Sequence, residues 1–138
     1  MAKPSYLAGL PPRDVELWKA QADFNSDKVL VVVDRANVAP APTAAAWSYS
    51  VPFRLVGENT NLVIPFSGTV GVAATDDSTA GTASVPAATI TVTMGSGTAT
   101  LNGDAAAWLA TETATLTITY TNLRGGTDTD TFVVTFTA

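Results

Sequence analysis

Thr113 to Thr121 reads Thr-Ala-Thr-Leu-Thr-Ile-Thr-Tyr-Thr, with threonine at every odd position and an apolar residue at every even one. A β-strand points successive side chains to opposite faces, so Ala114, Leu116, Ile118 and Tyr120 fall on one face and the threonines on the other. Threonine is β-branched, stiff at χ1 and weakly polar, which suits the outer face of a sheet. A row of hydroxyls without a partner base does no acid, base or nucleophilic work. The segment therefore predicts a half-buried strand in a structural or binding module.

The same rule recurs along the second half of the chain. Ile90, Val92 and Met94 alternate with Thr89, Thr91 and Thr93, and Phe132, Val134 and Phe136 form a last inward row. Trp47, Tyr49, Val51, Phe53 and Leu55 alternate with Ser48, Ser50, Pro52 and Arg54, where Pro52 predicts an edge position or a bulge. Val70, Val72 and Ala74 make another row, and Leu62 to Phe66 is a short strand interrupted by Pro65. Turns are expected at 57–61, 76–81, Gly95-Ser96-Gly97, Asn102-Gly103-Asp104 and Gly125-Gly126, with a connection around Trp108. Seven to eight short strands with frequent turns predict an all-β sandwich, with Trp47, Trp108 and the phenylalanines between its sheets.

The first part of the chain is a different polymer. Residues 1–66 hold two threonines, Thr43 and Thr60, whereas twenty follow from Thr69 onward. Pro4, Pro11 and Pro12 favour an extended arm, and Pro12 suits the first turn of a helix. From Pro12 to Phe24 the pattern is helical, with Val15, Trp18 and Ala22 on one stripe widened by Leu17. Asp14 and Glu16 sit in its first turn, where the macrodipole favours acids. So short a helix is marginal alone, and its apolar stripe must dock on the chain's own body or on another subunit. Val29 to Val33 is a strand apolar on both faces that needs cover on each side. It belongs to this sandwich or adds to a neighbour's sheet. The division that follows is an arm, a short helix and one strand over residues 1–38, then a sandwich over 39–138.

Composition narrows the function classes. The 138 residues contain no cysteine and no histidine, which removes disulfides, zinc and haem sites built on those ligands, and nucleophilic catalysis by Ser-His-Asp or Cys-His. Only 14% of residues are charged, against about 25% in an average protein. Through Arg35, five basic residues balance five acidic ones; beyond it, two basic residues face seven acidic ones, giving the net charge of −5. Nucleic-acid binding by a basic face is not expected. The start has no apolar run long enough for a signal peptide or membrane span, so the expectation is a cytoplasmically made protein with no membrane partner.

Asp128 and Asp130 share a strand face and could join Asp76, Asp77 or Asp104 in a calcium site, since calcium takes clustered oxygen ligands. No calcium-loop spacing is present, so solvated loop and edge-strand charge is the simpler reading, and no metal or cofactor is expected. A carboxylate pair for glycoside hydrolysis has little support, with no aromatic cleft apparent. The chain reads as non-enzymatic. The residues expected to bind a partner are Tyr6, Leu7 and Leu10 on the arm and Val15, Leu17 and Trp18 on the helix, because aromatic anchors dominate binding energy.

Two segments resemble bacterial Ig-like domains. Thr69 to Val85 carries the Thr79-Ala80-Gly81-Thr82 loop that precedes a strand in those domains. Gly97 to Thr119 carries the Gly97-Thr98-Ala99-Thr100-Leu101 strand that leads through an acidic loop to a Thr-rich strand. The resemblance spans roughly Ser50 to Phe136 and implies an Ig-like β-sandwich. Such domains occur on invasin-type adhesins and on tailed-phage capsids and tails. A single copy behind an amphipathic arm, with no signal, is similar in layout to phage capsid decoration proteins, whose N-terminal part grips the shell. That layout implies a virion protein made in the host cytoplasm, the major capsid protein as partner, and self-association, with a trimer favoured. The alternative is a carbohydrate- or receptor-binding module of a tail, fibre or adhesin, with exposed aromatics around Trp108 or Tyr49.

Overall fold

The computed structural model describes residues 28–122 and 125–138. These residues form eight strands: β1 (Val29–Val33), β2 (Trp47–Gly57), β3 (Gly68–Asp76), β4 (Ala83–Ser84), β5 (Thr89–Val92), β6 (Ser96–Gly103), β7 (Thr113–Thr121) and β8 (Thr127–Thr135). They make two four-stranded antiparallel sheets, ordered β1-β2-β6-β4 and β5-β3-β7-β8. The all-β expectation holds, and the core of a β-sandwich-like body lies between the two sheets. The helical pattern of residues 12–24 lies outside the described residues.

The alternation over Thr113–Thr121 does what period two requires. Ala114, Leu116 and Ile118 are fully buried, while Thr113, Thr115, Thr117 and Thr119 are half-exposed on the other face. β7 is an interior strand, paired with β3 on one side and β8 on the other. Val51, Phe53 and Leu55 from β2, Ala99 and Leu101 from β6, and Phe132 and Val134 from β8 join them in the core. Each group is the inward row of an alternating strand.

Val29–Val33 pairs with β2 from Val29 opposite Gly57 to Val33 opposite Phe53, so this strand belongs to the chain's own sheet. Pro52 stands in an interior strand, contrary to the expectation of an edge or a bulge. The physical reason lies in its register. The Asp34 N–H donates to the Pro52 carbonyl at 2.8 Å, so Pro52 turns its backbone toward β1 one residue beyond the end of that strand. The ladder stops where proline has no N–H to give. The chain then crosses to the other sheet, where Val38 pairs in parallel with Val134.

Two further local expectations change. The hairpin between β5 and β6 turns on Met94-Gly95 rather than on Gly95-Ser96-Gly97. Thr93 and Ser96 exchange both backbone hydrogen bonds, and Met94 and Gly95 have φ of 51° and 80°. That is a two-residue turn with positive φ at both centres, the kind that fits strand twist. Met94 is therefore exposed and not part of the inward row of Ile90 and Val92. The stretch from Leu62 to Phe66 is not a strand; it makes one bridge, Val63 to Val56.

Candidate functional site

The expected partner-binding residues Tyr6, Leu7, Leu10, Val15, Leu17 and Trp18 lie outside the described residues. The structure describes the end of the body where that arm joins. There the Lys28 carbonyl accepts from Glu58 N–H at 2.8 Å, and the Leu62 carbonyl accepts from Gly57 N–H at 3.0 Å. Ile64 N–H donates to Leu55, Leu55 N–H to Gly95, and Gly95 N–H to Phe66. The result is a row across the arm end: Lys28, then Gly57, then Leu62 to Ile64, then the Met94-Gly95 turn.

This row carries an apolar surface. Leu62 is 54% exposed, Val63 42% and Met94 64%. The turn is pressed against residues 63 and 64, since a Cβ on Gly95 would lie 2.0 Å from the Ile64 carbonyl oxygen and 2.7 Å from Val63 Cγ1. Only glycine fits there, on grounds of both φ and space. Beside the row, Lys28, Val29, Tyr120, Thr127 and Asp128 line a cleft of about 240 Å³.

Asp128 and Asp130 serve a seam between the sheets. In β1 the N–H groups of Leu30 and Val32 point to β2, which leaves those of Val31 and Val33 pointing outward by the antiparallel alternation. The Asp128 carboxylate accepts from Val31 N–H at 2.8 Å, and Asp130 accepts from Val33 N–H at 2.8 Å. Farther along, Val38 N–H donates to Val133, and Thr135 N–H to Val38. Asn37 Oδ1 accepts from Val133 N–H at 3.0 Å. Side chains of β8 thus cap free N–H groups of the β1 edge, while Asn37 and Val38, beyond β1, pair with the β8 edge, which covers two templates for unwanted strand pairing.

The other three carboxylates weighed for calcium lie at the opposite end. Asp76 accepts from Ala83 N–H, Asp77 from Thr113 N–H and Asp104 from Thr82 N–H. The structure therefore separates the carboxylates weighed as a calcium set, placing two on the seam and three at the far end, Asp76 at the end of β3 and Asp77 and Asp104 in loops. Among the described residues, no group of three or more acidic side chains is placed to hold a metal ion. No helix of the described residues is long and apolar enough to cross a membrane. Trp108 is fully buried. Tyr49 is half-buried under the Arg35 guanidinium, 5.0 Å from its ring centroid.

Glu112 is a buried structural carboxylate that sequence reasoning missed. It is only 8% exposed. It accepts from Leu109 N–H at 2.7 Å, Thr79 N–H at 2.8 Å, Ser78 Oγ at 3.0 Å and Thr79 Oγ1 at 3.4 Å. The backbone donors of Leu109 and Thr79, with help from the two hydroxyls and against its burial, hold its carboxyl below the usual carboxylate range. A folded-state pKa below the unfolded one stabilises the fold above the unfolded value of about 4.3. That contribution is lost as pH falls through the depressed folded value. Glu112→Gln is expected to flatten the acid limb of a stability-versus-pH curve below about pH 4.3. Urea midpoints measured from pH 6 downward, on the order of every half unit, check it; parallel curves for both proteins count against the role.

No protein-family model matches the chain, and no curated protein matches it. A solved structure, domains 4 and 5 of the S-layer protein SbsC, is similar at 20% identity with a TM-score of 0.43. The match covers 82% of this chain and 54% of that one, so the chain spans about half the length of that structure.

Proposed function

We propose that the chain is a non-enzymatic structural protein of a virion, an Ig-like β-sandwich that decorates a capsid through its N-terminal arm. The observation that carries this reading is the placement of the two ends of the body. Lys28, where the arm joins, sits beside Gly57 at one end, while β8 runs away from that end to Thr135. A surface that grips the arm therefore holds the body pointing away from it, by roughly 35 Å over the length of the eleven-residue β2. The Thr-rich outer faces, poor in charge, suit a body that stands in solvent without recruiting other ligands. The major capsid protein is the proposed partner, gripped by Tyr6, Leu7, Leu10, Val15, Leu17 and Trp18. Self-association as a trimer would place three arms on neighbouring subunits.

Removing residues 1–27 tests it, because the described core is built from Val31 onward. The truncated chain is expected to fold and to lose at least roughly a hundredfold in affinity for capsids, the worth of about 2.7 kcal/mol of apolar anchors. Co-sedimentation with capsids lacking this protein reads the effect. Undiminished binding by the truncated chain would sink the proposal.

A further inference from the structure

The arm end is where the body departs from its own rules. Four large apolar side chains are well exposed among the described residues, and three of them, Leu62, Val63 and Met94, lie in adjacent segments of that end. Met94 also occupies a positive-φ position that favours glycine or asparagine, and presents a thioether to solvent from it. The residue is 64% exposed, so most of it meets nothing inside the body. A local rule broken without internal compensation points to a contact outside the described residues.

We infer that the Leu62, Val63 and Met94 surface is the seat of the chain's own arm, which lays Val15, Leu17, Trp18 and Ala22 against it before any partner is met. Length argues for this occupant. Only residues 25–27 separate the end of the helical pattern at Phe24 from Lys28, a tether reaching about 14 Å when extended. In the backbone row, Lys28 is followed by Gly57 and then Leu62, two strand spacings or about 10 Å away. A tether so short presents the stripe at an effective concentration on the order of millimolar, which outcompetes a second copy at micromolar concentration. Chemistry agrees: methionine is an adaptable surface that accommodates an aromatic such as Trp18. The seat stows the apolar stripe of a charge-poor protein, and the inference holds whatever partner the arm finally grips.

The chain has no cysteine, so introduced pairs report proximity cleanly. In the full chain, Ala22→Cys with Met94→Cys is expected to cross-link within one molecule roughly tenfold or more faster than Ala22→Cys with Ala138→Cys, whose second site is at the far end. Met94→Asp is expected to speed tryptic cleavage at Arg13 and Lys19 roughly tenfold, because a charge in the seat releases the arm. Equal cross-linking rates for the two pairs overturn the inference, as do cross-links found only between two molecules. So does cleavage that Met94→Asp leaves unchanged.

Discussion

Trp108→Ala is expected to destabilise the fold by about 3–5 kcal/mol, the upper range for truncating a buried side chain. The indole has no exposed surface and closes the far end of the core. It stacks on Phe136 at 5.4 Å and meets Trp47 edge-on at 5.2 Å. Its Nε1 donates to the Asp104 carbonyl at 3.2 Å, and its backbone exchanges both hydrogen bonds with Thr43. The ring also occupies the space where a Gly81 side chain would stand, with Cε2 2.3 Å from an ideal Cβ. Alanine would leave a cavity bordered by Trp47 of β2, by Phe136 and by the connections that hold Thr43, Gly81 and Asp104. Against a typical total stability of about 5–15 kcal/mol, that loss is a large fraction. A fall in the melting temperature of at least roughly 12 °C follows from usual unfolding entropies. Thermal and urea unfolding measure it; a loss below about 1 kcal/mol would mean that the site collapses around the missing ring.

The second large effect is expected at the seam. Replacing both Asp128 and Asp130 with Ala removes two charge-assisted acceptors from partly buried N–H groups, each worth about 1.5–3 kcal/mol as an upper range. Asn at both positions keeps an acceptor and should fall between wild type and Ala. Hydrogen exchange gives the sharper readout. Protection of the Val31 and Val33 amides should collapse in the double Ala variant, while Leu30 and Val32, facing β2, stay protected. Uniform loss across all four amides would assign the effect to general unfolding and not to the seam.

How much of this was legible depends on how far each residue's role is set by its neighbours in sequence. The rows Ala114-Leu116-Ile118 and Phe132-Val134-Phe136 were readable because period-two alternation is local and burial follows from it. Asp128 and Asp130 were placed correctly on one strand face, but their partners are 97 residues away in β1, and no local pattern announces them. Pro52 misled because its own strand is interior, while the strand it faces ends one residue short of it. Met94 continued an apolar alternation and was read as core, although the following glycine made a two-residue turn available. Glu112 falls in the connection between Trp108 and β7. Its burial comes from Ser78 and Thr79, more than thirty residues earlier, folding over it. The one local signal was an isolated acid flanked by threonines between Trp108 and the β7 alternation.

The seam has a mechanical consequence. β1 and β8 both run from the arm end toward the far end, side by side, with the chain leaving β1 at Lys28 and β8 at Thr135. Tension applied between the arm and the end of β8 drags the two strands along each other in opposite directions. The bonds of Asp128, Asp130, Val38 and Asn37 across the seam then carry load together, as in a lap joint, instead of opening one after another. Force resistance is set by the unfolding rate and not by equilibrium stability, so the seam is expected to raise the rupture threshold along this one axis.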